Sequence, residues 1–501
     1  MLFTQFEFLF LFLPVTFAGY FLIARFIDAP AARLGWLAAA SLAFYSYWDV
    51  RFVPIILVSI VFNYTMGLLI ARQPVGRTRG WVFAVAIGAN LSALAFYKYT
   101  NFGIQIFNAI AHARHPSLAI VLPLGISFFT FTQIAYLADV YGGYSHERSF
   151  IKYGLFVTYF PHLVAGPILH HREMMPQFGA EQSRRISLEN VAIGLTILVI
   201  GLFKKSVVAD GFGLVASPVF QAANSNYLHL MDAWGGALAY SLQIYFDFSG
   251  YSDMAIGIST LFGIKLPFNF DAPYKSRSIV EFWRRWHISL SRFLRDYLYI
   301  PLGGNRHGYH RRNINLFMTM LLGGLWHGAG FTFIIWGALH GTFLIVNHRW
   351  TTLTQKRPAL ARLTQSSWYP LAALCLTQFM VVLAWVFFRA DDPNAAIRLI
   401  KCMIGLSNPE RVGPTRLVDG REILLILAGY VACLVLPNVN AMFARWQVGL
   451  ETYHNPRPWS ILTLIWRPSV IWAVGTSLCL IAALLMNIIA GDTSQFLYFQ
   501  F

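Results

Sequence analysis

Runs of about twenty apolar residues recur along the whole chain, parted by short polar joints, and this pattern limits what the sequence can become. A membrane-spanning helix needs roughly 20 mostly apolar residues. Such runs lie near 6–26, 34–48, 52–71, 80–98, 117–138, 150–168, 190–209, 231–259, 314–346, 369–389, 422–440 and 468–490. Some are short and some are long enough for two helices, so the pattern predicts about eleven to thirteen spans. The runs are continuous rather than alternating, which argues against a β-barrel. Composition closes the soluble alternative: charged residues are 12% of the 501, against about 25% in an ordinary soluble protein. Aromatic residues are 16% of the chain, which excludes disorder. The expected fold is an all-α polytopic membrane protein, with residues 1–501 forming one integral-membrane domain.

The formal net charge of +16 belongs to the same picture. Lys and Arg collect in cytoplasmic loops of membrane proteins and face anionic lipid, so no nucleic-acid partner is implied. Met1 to Ala24 carries no basic residue, and Arg25 follows the first apolar run. That order predicts an uncleaved first segment with its N-terminus outside and Arg25 inside. The next two runs form a hairpin that returns to Arg72, Arg77 and Arg79, also inside. Four cysteines (Cys375, Cys402, Cys433, Cys479) form no CxxC pair, so neither a zinc knuckle nor a disulfide framework is indicated.

Residues 270–312 are the least membrane-like stretch and the richest in chemistry. Nine positive charges fall between Lys275 and Arg312, including Arg284, Arg285, Arg292 and Arg295. From Val280 to Tyr299, Phe282, Trp286, Leu290, Phe293 and Tyr297 share one helical stripe, with the four arginines opposite. The pattern predicts an interfacial amphipathic helix, stopped by Pro301, Gly303 and Gly304. The arginines satisfy the positive-inside bias and also suit phosphate groups, which arginine binds bidentately. His287 stands within this helix, either packed beside Trp286 or orienting a substrate and stabilising developing charge.

Residues 321–341, LLGGLWHGAGFTFIIWGALHG, are apolar enough for the bilayer yet hold His327 and His340. A polar side chain at membrane depth is costly and points to function. His327 suits a general base, because its ordinary pKa lies near working pH. The alternative is a core histidine hydrogen-bonded between helices. Gly323, Gly324, Gly328 and Gly330 let other backbones or a thin substrate approach it.

Other polar residues have plainer expectations. Asp247 and Asp253 lie six apart, roughly 120° around a regular helix. That spacing favours structural helix-to-helix bonds over a proton relay, with Lys204 and Lys205 as candidate partners. His162, His170, His171 and Glu173 lack HExxH spacing and are expected to be loop polarity near a membrane surface, with no metal.

WRRWHISLSRFLRDYLYIPLGGN and GGLWHGAGFTFIIWGALHG lie forty residues apart, counted from His287 to His327. Together they resemble the membrane-bound O-acyltransferase (MBOAT) family, in its bacterial polysaccharide O-acetylation branch. LPLGISFFTFTQIAYLADVY, FPHLVAGPILHHREMMPQF, YFDFSGYSDMAIG and the terminal FLYFQF are consistent with it. The resemblance implies a ring of transmembrane and re-entrant helices around a thin centre. His327 would be the catalytic histidine in a tunnel, with His287 the second site residue. Residues 270–346 would carry the active-site segments, in the bacterial inner membrane.

Cytoplasmic acetyl-CoA would be the acyl-donor substrate, with no permanently bound cofactor. Arg284, Arg285, Arg292 and Arg295 would bind its nucleotide end. The acetyl group would leave towards the outer side for O-acetylation of an exported polysaccharide, with alginate and cellulose leading and peptidoglycan also open. A periplasmic SGNH-type acetyltransferase and polysaccharide synthesis or export machinery would be partners. Relatives that carry D-alanine to teichoic acids end earlier, before runs such as 422–440 and 468–490. Two rival readings are a proton-coupled transporter using Asp247 and Asp253, and a non-catalytic scaffold of a polysaccharide export complex.

Overall fold

The computed structural model describes all residues except 145–146, 181–183, 225–227, 407–415, 451–461, 492–495 and 498–501. The last four residues of the FLYFQF motif therefore lie outside the described residues. Among those described, the chain is helical, with one isolated bridge between Pro267 and Leu450 in place of any sheet. Seven helical segments are, by length and composition, long and apolar enough to cross a membrane: Phe8–Phe26, Val50–Arg72, Arg77–Ala111, Leu188–Ala222, Phe331–Lys356, Tyr369–Arg389 and Val470–Ala490. Five further helices of sixteen residues or more complete the bundle: Pro30–Ser46, Ile126–Tyr141, Leu230–Leu261, Gly308–His327 and Gly420–Val435.

Leu230–Leu261 is the central post. From Ser241 to Leu261 every residue but Phe246 is buried. It packs against Leu188–Phe203 through close glycine approaches: a Cβ on Gly250 would lie 2.8 Å from the carbonyl oxygen of Gly201. In an apolar solvent, such small-residue contacts supply the packing that water expulsion cannot. Asp247 and Asp253 sit on this post without breaking it. Lys204 reaches Asp253 at 2.6 Å, and Lys205 lies 3.0 Å from Asp247 and 2.6 Å from Asp210. A π-helical turn at Lys204–Ala209 turns the two adjacent lysines towards different carboxylates, Asp253 for Lys204 and Asp247 with Asp210 for Lys205.

Three sequence expectations are corrected here. The 150–168 run does not form one spanning helix; it divides into Phe150–Thr158 and Phe160–Leu163, with Pro161 in the second. The run at 80–98 does not end at Lys98, because one helix continues to Ala111. The stripe from Val280 to Tyr299 is not an interfacial helix. It breaks into Ile279–Arg285, Ile288–Leu294 and a π-helical turn at Arg295–Tyr299. Phe282, Trp286, Leu290 and Phe293 are buried inside the protein. Apolar periodicity reports that a face is covered, not whether lipid or protein covers it.

Candidate active site

His327 is the last residue of Gly308–His327. After a three-residue turn, Phe331–Lys356 begins and runs back alongside, so the two helices form a hairpin tipped by Gly328–Gly330. The glycines serve this packing. A Cβ on Gly324 would lie 2.3 Å from the carbonyl oxygen of Phe333, and one on Gly337 2.5 Å from that of Met320. The close approach is backbone on backbone.

His287 arrives from a different direction. It occupies the break between Ile279–Arg285 and Ile288–Leu294 with φ 42 and ψ 55, a left-handed conformation rare for a side-chain-bearing residue. Such strain persists only where the surroundings over-determine it, and here they do. Asn269 accepts hydrogen bonds from the Ser289 hydroxyl at 2.6 Å and the Ser289 amide at 3.2 Å. Its backbone carbonyl takes the Ile288 amide at 3.0 Å. The Ser289 hydroxyl in turn accepts from the Ile168 amide at 2.9 Å.

The two histidines meet with ring centroids 6.3 Å apart. His287 is fully buried and His327 is 4% exposed. The chamber around them is aromatic: Trp326, Trp336 and Phe388 lie 5.0, 5.1 and 5.3 Å from the His327 ring. Phe248 meets His287 edge-on at 4.7 Å. His340, one wall further, accepts from the Trp283 indole at 3.2 Å. The indole N–H groups of Trp326 and Trp336 are buried without a hydrogen-bond partner, a condition that is costly in an apolar interior. A cavity of about 110 Å³ reaches His327 from one side, lined also by Trp48, Lys98, Gly125 and Trp326.

The four arginines do not form one cluster. Arg292 is buried against Glu173 at 2.8 Å, and Arg285 is buried between Glu281 at 2.8 Å and Asp271 at 3.7 Å. Arg295 is exposed and pairs with the neighbouring Asp296 at 2.7 Å. Arg284 is exposed. The expectation of surface polarity for His162, His170 and His171 is overturned, since all three are buried. His162 bonds the Phe156 carbonyl at 2.9 Å. His170 bonds the Tyr297 hydroxyl at 3.1 Å, which donates to Asp139 at 2.8 Å. Burial pushes the His170 pKa down to about 4, with Arg292 adding to the effect, so the ring is neutral near pH 7. His171 packs against Tyr136 and Phe156. The four cysteines are free thiols.

Sequence reasoning passed over Lys98 and Tyr99. The Lys98 ammonium donates to the carbonyls of Trp326 at 2.5 Å and His327 at 3.0 Å, and the Tyr99 hydroxyl donates to that of Leu325 at 2.8 Å. The available signal is a lysine at the edge of an apolar run, where a polar side chain at membrane depth is costly.

The profile of the membrane-bound O-acyltransferase family matches residues 42–386. A peptidoglycan O-acetyltransferase of Helicobacter pylori is 45% identical over 426 residues, covering 80% of this chain and 79% of that one. A protein of Pseudomonas putida named "Probable alginate O-acetylase AlgI" is 39% identical over 521 residues, covering both chains in full. A teichoic acid D-alanyltransferase of Bacillus subtilis is 28% identical over 314 residues, 57% of this chain and 76% of its own.

Proposed function

The chain belongs to the membrane-bound O-acyltransferase family, and on that premise we propose that it moves acetyl from cytoplasmic acetyl-CoA across the inner membrane for polysaccharide O-acetylation. It is a multi-pass bacterial membrane O-acyltransferase of all-α fold. The observation that carries the finer reading is the meeting of His287 and His327 in a closed aromatic chamber reached by a cavity.

A thioester is already activated, so the enzyme must supply a competent hydroxyl nucleophile. His327 takes the hydroxyl proton as the oxygen attacks the thioester carbonyl carbon. The C–S bond breaks as the tetrahedral intermediate collapses, and the proton held on His327 passes to the departing thiolate. The oxygen gains the acetyl group and the thiol of coenzyme A is released. The unpartnered indole N–H groups of Trp326 and Trp336, both beside the His327 ring, are candidate donors for the developing oxyanion. His287, held rigidly beside them, orients the reacting group.

Arg284 and Arg295 are the arginines exposed for donor phosphates. The Arg295–Asp296 pair is a surface pair and yields readily to a phosphate. Arg285 and Arg292 shape the segment through their carboxylate partners. Alginate and peptidoglycan, acted on by the relatives just named, are the leading polymers, and cellulose has no such support. A periplasmic acetyltransferase partner completes transfer to the polymer.

The test supplies isotope-labelled acetyl-CoA to the cytoplasmic face of oriented membrane vesicles and follows the label. Wild-type protein should place it in a base-labile ester on the outer side. His327→Ala should lower the rate by roughly 10²–10⁴-fold at equal protein level. Outer label that does not depend on His327 would sink the reading.

A further inference from the structure

Gly308–His327 ends abruptly. Gly328 is extended, with φ −157 and ψ 149, and the last carbonyls of the helix have no further turn to bond. In a membrane interior no bulk water replaces those bonds. Two consecutive residues of a different helix take over. Tyr99 donates to Leu325, and Lys98 donates to both Trp326 and His327. The lysine ammonium also contacts the Ser127 hydroxyl at 3.5 Å and lies 5.9 Å from the Trp326 ring centroid.

Among the described residues no carboxylate pairs with Lys98. A lysine placed inside an apolar helix without an acidic partner is costly to retain. Its charge faces the negative end of the helix dipole, at the one helix end that carries His327. The same side chain lines the cavity that reaches His327. Lys98 follows Arg77 by 21 residues, roughly 32 Å along a helix, about one hydrocarbon thickness. On the positive-inside expectation for Arg72, Arg77 and Arg79, the cavity would open on the outer side, away from a cytoplasmic donor.

We propose that Lys98 is a positioning residue of the acyl-transfer site. Its charged bonds to the Trp326 and His327 carbonyls hold the helix end, and with it the His327 ring, in register with the acceptor cavity. The proposal rests on the reading of His327 as the general base. Misplacing a catalytic group by about 1 Å costs on the order of 10²-fold in rate, whereas binding of a donor from the opposite side is left unchanged.

The experiment measures acetyl transfer from labelled acetyl-CoA in oriented vesicles for wild type, Lys98→Met, Lys98→Arg and Tyr99→Phe, with His327→Ala as reference. Rates are expressed per folded protein, judged by monodispersity and Tm in detergent. Lys98→Met should lower kcat on the order of 10²-fold with KM for acetyl-CoA within about threefold. Lys98→Arg, which keeps charge and donors, should recover to within about tenfold of wild type. Tyr99→Phe, which loses one neutral bond, should lower Tm without that loss of kcat.

Wild-type kcat in folded Lys98→Met overturns the proposal. So does a rise in KM alone, which would make Lys98 a binding residue. If Lys98→Met does not fold, Lys98→Arg with wild-type Tm decides: retained kcat supports positioning, and activity as low as His327→Ala overturns it. Wild-type transfer that ignores His327→Ala rejects the parent reading and is read separately.

Discussion

His287 carries a cost that its neighbours meet. Left-handed backbone disfavours a Cβ by about 1–2 kcal/mol, and His287 holds φ 42 while fully buried. Replacing it with glycine should therefore remove strain together with the ring. His287→Gly should keep a higher Tm than His287→Ala, which leaves a similar cavity but retains the strained Cβ, while both lower acetyl transfer roughly 10²-fold; scanning calorimetry beside the vesicle assay checks both. An unchanged rate would remove His287 from the site. Both histidines were legible in the sequence, because imidazoles within apolar and basic motifs stand out. The φ at His287 was not, since nothing in WRRWHISLS requires a break at that residue. The break follows from an earlier segment that bonds both sides of the turn: Asn269 takes Ile288 and Ser289 after it, and the Asp271 amide takes the Arg285 carbonyl before it.

The hairpin of Gly308–His327 and Phe331–Lys356 is the element that sets His327 depth. Its closeness depends on Gly324 and Gly337, each facing a carbonyl oxygen of the other helix. Gly324→Ala should force the helices apart at a cost of about 1–3 kcal/mol, seen as a lower Tm and a loss of transfer even though no reacting group is altered. A variant with wild-type Tm and rate would show that the hairpin is looser than this packing implies. The run at 314–346 spoke for two helices by length alone, and the glycines marked close approach. Which backbones approach was decided by the turn at Gly328–Gly330, which folds the second helix onto the first.

Across the whole molecule, the central post is tied to Leu188–Ala222 by ion pairs at bilayer depth. Lys204 and Asp253 are 2.6 Å apart and mostly buried. Removing one partner of a buried pair costs about 3–5 kcal/mol, whereas replacing both by apolar residues is often neutral. Asp253→Ala should therefore reduce folded yield and Tm, and the double variant Lys204→Met with Asp253→Leu should recover both along with acetyl transfer. Size-exclusion recovery and Tm in detergent test this. If the double variant folds but transfers nothing, the ion pair has a role in acyl transfer beyond packing.

Apolar run lengths, the scarcity of charge and the two histidine motifs determined a polytopic all-α membrane protein and its candidate base from sequence alone. These are local or additive properties: each residue contributes its transfer energy, and each motif is contiguous. Three features were decided by tertiary structure: the burial of the apolar stripe of the 279–294 helices, the pairing of each lysine with its aspartate, and the capping of the His327 helix by Lys98 and Tyr99. Each joins residues far apart in the chain, from 42 in the Lys205–Asp247 pair to 229 between Lys98 and His327. Periodicity and propensity describe one segment at a time. They cannot say which distant polar group will satisfy the carbonyls or charges that an apolar surrounding leaves bare.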